Sequence, residues 1–183
     1  RVHIQDVFLL YVDINLDLDP FRLVRKINDI YPFGWFRYRY ANVRAIDRLS
    51  AWLCYLILDA AGQGGNGCWA GKDQWFGFTP VENSRDVLET LADIYHTGLT
   101  RPLHFFPKAA EDYVTSIRKK GNRDTAMTAA IRTWTGGPWR PQAEGDDPYY
   151  RLCFGQTMPL DEDFEVLAEA VFGLLIDHTE ILP

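Results

Sequence analysis

The chain carries five lysines, Lys26, Lys72, Lys108, Lys119 and Lys120, and what stands near them decides one kind of chemistry. Metal-dependent cleavage of a phosphodiester commonly needs an acid on one strand and an acid-x-Lys on the next. The acids hold Mg²⁺ and the lysine steadies the attacking water. The residues two places before the five lysines are Val24, Ala70, Phe106, Ile117 and Arg118. None is acidic, so that arrangement is absent. The densest acids outside a helix are Glu144, Asp146 and Asp147. They lack calcium-loop spacing and sit in a Gly/Pro-rich stretch, which reads as a solvated turn. An unorthodox metal site built from these three is the enzymatic alternative.

Other chemistry leaves little trace. His3, His96, His104 and His178 have no spacing that makes a zinc site, and His104, between prolines, reads as structural. Cys54, Cys68 and Cys153 are scattered, with no CxxC, which points to free thiols in a reducing cytoplasm rather than to a disulfide framework. No GxSxG, P-loop or dinucleotide fingerprint occurs, and no cofactor is expected in the domain itself. The richest apolar stretch, Trp52–Ala61, is too short to span a bilayer. The chain begins at Arg1 and is expected to be one domain, residues 1–183, cut from a longer chain.

The best binding candidate is Trp35-Phe36-Arg37-Tyr38-Arg39-Tyr40. In a strand, Trp35, Arg37 and Arg39 share one face, while Phe36, Tyr38 and Tyr40 share the other. Arginines bind phosphate and rings stack on bases, so Arg37, Tyr38, Arg39, Tyr40 and nearby Arg44 are the candidate DNA contacts. The plainer alternative puts the rings in the core and the arginines in water.

Charge distribution supports a polyanion on one side and protein on another. Residues 22–48 carry seven Lys/Arg against two Asp/Glu, and residues 101–140 carry eight against three. Residues 141–183 carry one against ten. The overall charge of −6 hides this mosaic.

The elements that must position these groups are read from periodicity. Residues 2–18 alternate like a strand, with Val2/Ile4 and Ile14/Leu16/Leu18 apolar. Phe21–Ile30 is apolar nearer to helical spacing. A helix is expected from an Asn42 cap to about Ala61, and a hairpin joins Cys68–Ala70 to Gln74–Phe78 across Gly71–Asp73. Helices are expected at about 84–97, 108–120 and 123–134, with an extended Arg101–Pro107 between the first two. Tyr149–Phe154 reads as a strand, and the last helix runs from an Asp161 cap to about His178. The class is α/β or α+β, a small mixed sheet flanked by helices. One domain of this size is expected to leave Trp52, Tyr55, Leu103, Phe105 and Phe106 exposed as a partner-docking patch.

Several stretches line up with one family. Gly34-Trp35-Phe36-Arg37-Tyr38-Arg39 followed by Asp47–Leu53 resembles the RecC pattern, the gamma chain of exodeoxyribonuclease V. Leu91-Ala-Asp-Ile-Tyr-His-Thr-Gly-Leu99 with Arg101-Pro-Leu103 and Phe106-Pro-Lys108 looks like that family's most distinctive segment. Glu144–Leu152 and the helix from Phe164 to Leu175 are similar to its ending.

The resemblance implies the C-terminal, nuclease-like domain of such a chain, a PD-(D/E)XK-type fold without its catalytic motif. It also implies a DNA-repair and recombination complex in which RecB-type and RecD-type subunits supply ATP- and Mg²⁺-dependent helicase and nuclease work. The domain itself would handle the separating DNA strands and dock a helicase subunit. A pure protein–protein adaptor is the remaining alternative.

Overall fold

The computed structural model describes residues 10–138 and 142–183. Expectations for Val2, Ile4 and His3 lie outside the described residues. The chain divides into two compact units. Among the described residues the first comprises 10–43, 47–93 and 178–183; the second comprises 44–46, 94–138 and 142–177.

The first unit holds a six-stranded mixed sheet in sequence order. Its strands are β1 (Leu10–Leu18), β2 (Phe21–Tyr31), β3 (Gly34–Tyr38), β4 (Gly67–Ala70), β5 (Trp75–Phe78) and β6 (Thr179–Leu182). All neighbours are antiparallel except β3 and β4, which are parallel. A parallel pair needs a crossover, and α1 (Ala45–Ala60) lies between the two strands in the chain. The 68–78 hairpin forms as the sequence indicates.

The stretch expected as helical, Phe21–Ile30, is instead β2. Its misleading spacing has a cause. Between Leu10 and Val12 of β1 the register shifts, Leu10 facing Ile30 and Val12 facing Ile27. Asp29 takes a left-handed φ of 66° at this bulge. The extra residue moves Ile30 into the phase of Ile27, and an interrupted period of two mimics i, i+3. At Gly34 φ is 128°, and a Cβ there would stand 2.0 Å from the Asn66 carbonyl oxygen. Only glycine lets β3 begin at that point.

The sheet's inner face packs on α1. Trp52 stacks near Tyr55 (5.9 Å) and tilts onto Phe78 (5.2 Å), with His178 at 6.1 Å. Gly67 leaves the room that the Tyr55 ring fills, since a Cβ there would stand 2.7 Å from it. Ile14, Leu16, Leu18, Ile27 and Trp35 complete this core. The helix expected near 84–97 forms as α2 (Ser84–Gly98).

The second unit is helical: α3 (Pro107–Lys120), α4 (Arg123–Thr135), α5 (Pro148–Phe154) and α6 (Glu162–Asp177), with a 3₁₀ turn at Glu144–Asp146. Gly121 ends α3 in the left-handed region and the Asn122 side chain caps α4 by accepting from Thr125 N–H. Ala109, Ala110, Ala126 and Ala130 are buried, which lets the α3–α4 hairpin close tightly. Tyr149–Phe154, expected as a strand, is α5. Asp147 caps it and Pro148 opens it, while Tyr150 and Phe154, four apart, turn the same way. Asp161 caps α6 as expected, accepting from Phe164 N–H at 3.1 Å.

Candidate nucleic-acid interface

The two faces of β3 are used in the opposite sense to the plainer alternative. Trp35 is buried, and the arginines lie on its side of the strand. Arg37 Nε donates to Asp29 Oδ2 at 3.0 Å, both side chains half-buried. Arg39, just past the strand, donates to Asp47 Oδ2 at 2.8 Å and to the Asn42 carbonyl at 3.1 Å. Asp47 is itself buried at the start of α1. The two guanidiniums therefore anchor β2, β3 and α1 to one another instead of forming a bare basic row. Arg44 is exposed and belongs to the second unit.

The rings take the outer face. Tyr31 stacks on Phe33 at 5.1 Å with planes 10° apart. Phe33 meets Phe36 edge-on at 6.4 Å, and Phe36 lies over Tyr38 at 6.4 Å with planes 27° apart. These offset and edge-to-face contacts hold the rings in place without covering them. Phe33 is 60% exposed, Tyr38 73% and Tyr40 86%. The Lys72 ammonium stands 5.9 Å from the Tyr40 ring centroid.

Across the sheet, Tyr38 faces Ala70 and Ala70 faces Trp75, so the three share one row. Ala70 is small and keeps the row low, and Trp75 is exposed. Sequence reasoning missed Phe33 and Trp75 as surface rings. The signal for Trp75 was the alternation in Gln74–Phe78, where burial of Phe76 and Phe78 leaves Trp75 facing outward.

The expected docking residues are mostly interior, which corrects that expectation. Trp52 is 0% exposed, and Tyr55 and Phe106 are also buried. Phe106 sits among Trp134 (4.4 Å), Tyr150 (5.0 Å), Phe154 (5.5 Å) and Phe164 (6.2 Å). Phe105 is half-buried and stacks near Phe172 at 6.1 Å, and Leu103 is half-buried too. Each unit makes enough core from its own rings to absorb them.

The acids at 144–147 are each engaged. Glu144 is buried and accepts from the backbone N–H groups of Lys108 (3.0 Å) and Ala109 (2.7 Å), closing the N-terminus of α3. Burial pushes its carboxyl above the usual range, against the pull of those two hydrogen bonds. Asp146 pairs with Arg151 at 2.5 Å, and Asp147 caps α5 through Tyr149 N–H. Among the described residues, no three His, Cys, Asp or Glu side chains gather as a metal site.

His104 Nδ1 lies 2.8 Å from Asp161 Oδ2. Burial works to raise the Asp161 carboxyl, but hydrogen bonds from His104 and Phe164 N–H outweigh it and hold the group below its usual value. Burial raises the thiols of Cys54 and Cys68, which keeps them protonated and unreactive. No helix among the described residues is long and apolar enough to cross a membrane.

Fold and surface together define a mixed α/β chain with a ring-faced sheet unit and a helical unit. The model of the RecC C-terminal domain matches residues 3–118, and the chain belongs to that family. It is also 23% identical over 175 residues to the RecBCD enzyme subunit RecC of Buchnera aphidicola subsp. Acyrthosiphon pisum (strain APS). That alignment covers 89% of this chain but 16% of the relative, so the chain spans about a sixth of that protein's length.

Proposed function

We propose that this chain is a DNA-handling and docking module of a RecBCD-type helicase–nuclease acting in double-strand-break repair and recombination, and that it performs no cleavage itself. The observation that carries the DNA reading is the outer row of rings, Phe33, Phe36 and Tyr38, with Trp75 across the sheet and exposed Tyr40 just past the strand. Ring faces held open at strand spacing suit bases of a separated strand, because every base offers a π-face and stacking needs no sequence. Duplex DNA keeps its bases stacked inside and offers such a surface little.

Silence in cleavage rests on two observations. No lysine follows an acid at the required spacing, and Glu144, Asp146 and Asp147 are occupied in capping and pairing. A mixed sheet with flanking helices is compatible with a nuclease-like fold that has lost its metal site. ATP and Mg²⁺ then belong to the RecB-type and RecD-type partners. Free thiols at Cys54, Cys68 and Cys153 fit a cytoplasmic setting.

The test uses a labelled oligo(dT) and a duplex of the same length, each titrated with the chain in Mg²⁺. The single strand should bind more tightly and both should stay intact. Metal-dependent cutting that disappears on Asp146→Ala or Asp147→Ala would promote the active-nuclease reading.

A further inference from the structure

The outer face of the sheet is not evenly covered with rings; a gap crosses it at β4. Tyr38 on β3 faces Ala70, Ala70 faces Trp75 on β5, and Trp75 faces Leu182 on β6. The next outward row runs Phe36, Cys68, Gly77 and Glu180. The Leu182 side chain reaches over Gly77, 3.5 Å from where a Cβ there would stand. Large side chains thus rise on both sides, Phe36 and Tyr38 against Trp75 and Leu182, with only Ala70 and Cys68 between them. Ala70 is buried, as the floor of a narrow cleft is, while Tyr38 and Trp75 keep 73% and 51% of their surface.

The width of this cleft selects what enters it. Neighbouring strands lie about 4.8 Å apart, so walls two strands apart rise about 9.5 Å from each other. That is too far for the two rings to stack on one another. Stacked planes sit about 3.4 Å apart, so one flat ring between two others needs about 7 Å, which a modest lean of both walls supplies. Two flat rings would need about 10 Å and do not fit by the same spacing.

The ends of the cleft differ in charge. Past Ala70, the turn Gly71–Asp73 is tied to the loop after β3. Lys72 N–H donates to the Ala41 carbonyl at 3.0 Å, and Val43 N–H donates to Asp73 Oδ1 at 2.8 Å. Lys72 is exposed with its ammonium towards the Tyr40 ring, and no ion pair engages it among the described residues. Glu180, also exposed, stands in the row beyond Cys68, away from that turn.

We infer that the cleft over Ala70 takes a single flat base, held between Tyr38 and Trp75, with Lys72 placed for the phosphate beside it. The inference rests on reading the outer ring row as a single-strand surface, and it adds that one base enters the sheet's face where the others lie on it. Lys72 disfavours a methylated ammonium, which a pair of rings would otherwise suit, and Glu180 keeps the sugar–phosphate chain to the Lys72 end.

The probe for the unaltered chain is oligo(dT) carrying one 5-iododeoxyuridine, a base that joins covalently to a ring stacked on it under near-ultraviolet light. Mass mapping should find links to both Tyr38 and Trp75. Links confined to Phe33, Tyr38 or Tyr40 overturn the cleft and leave the ring row standing. Ala70→Leu fills the floor and keeps every ring, so oligo(dT) affinity should fall about tenfold or more, while Ala70→Ser should change it less than about twofold. Circular dichroism checks the fold of both; where Ala70→Leu loses it, the cross-link decides. A folded Ala70→Leu chain that binds as tightly as the unaltered one overturns the inference, even where Tyr38→Ala with Tyr40→Ala weakens binding. Failure of the unaltered chain to bind oligo(dT) removes the ring-row reading and the cleft together.

Discussion

The sheet unit and the helical unit solve the same packing problem with different elements. Each buries a knot of rings, around Trp52 in the first and around Phe106 in the second. Each also leaves aromatic side chains outside. On the sheet these are Phe33, Tyr38 and Tyr40, with Lys72 against the last ring. On the helices they are led by Tyr149, close to Asp146 and Asp147 and on the same helix as Leu152. An exposed ring by itself does not name its partner; the charges beside it do. The comparison also shows why a count of basic residues misleads. The block at 22–48 has a strong positive balance, but Arg37 and Arg39 are taken by Asp29 and Asp47.

The largest effects should come from the two ring clusters. Trp52→Ala and Phe106→Ala each empty a fully buried site and should cost about 3–5 kcal/mol in denaturant unfolding. Hydrogen exchange should lose protection first in the unit that carries the substitution. A loss below about 1 kcal/mol for either would return that residue to the surface and revive it as a docking contact.

A smaller effect sharpens the contrast at the acids. Glu144→Ala removes the acceptor of two backbone N–H groups at the start of α3 and should cost about 1–3 kcal/mol. Asp163→Ala, on an exposed carboxylate, should change stability by less than about 0.5 kcal/mol. Equal costs would mean that Glu144 is not the cap the geometry makes it.

Much of this was legible in residue types. The hairpin at 68–78 follows from its alternation, and Asp161 shows as a cap because acids crowd the turn after it. β2 was not legible, because one bulge at Asp29 shifted an alternating pattern into a false helical one. α5 was not, because Tyr149-Tyr150-Arg151-Leu152 carries strand-favouring rings, and only the Asp147–Pro148 start gives it away. β6 was missed, since four residues after a long helix carry too short a period to read.

The alternation of rings and arginines along β3 was plain, but its orientation was not. Which side faces the core depends on Asp29 and Asp47, acids eight residues before Arg37 and eight after Arg39 in the chain. No local pattern announces such partners.

The central claim is that the rings of the sheet, and not the arginines between them, meet a DNA strand. The direct measurement is oligo(dT) affinity as a function of salt for two double variants, Tyr38→Ala with Tyr40→Ala and Arg37→Ala with Arg39→Ala. Stacking is worth about 1–3 kcal/mol per base, so the ring variant should lose tenfold or more in affinity while its salt slope stays the same. The arginine variant should lose stability, roughly 1–2 kcal/mol, with little change in slope, because its charges are already paired. The contrary result is full affinity without the rings and a slope flattened by about two units without the arginines, which would make phosphate contact the basis of binding.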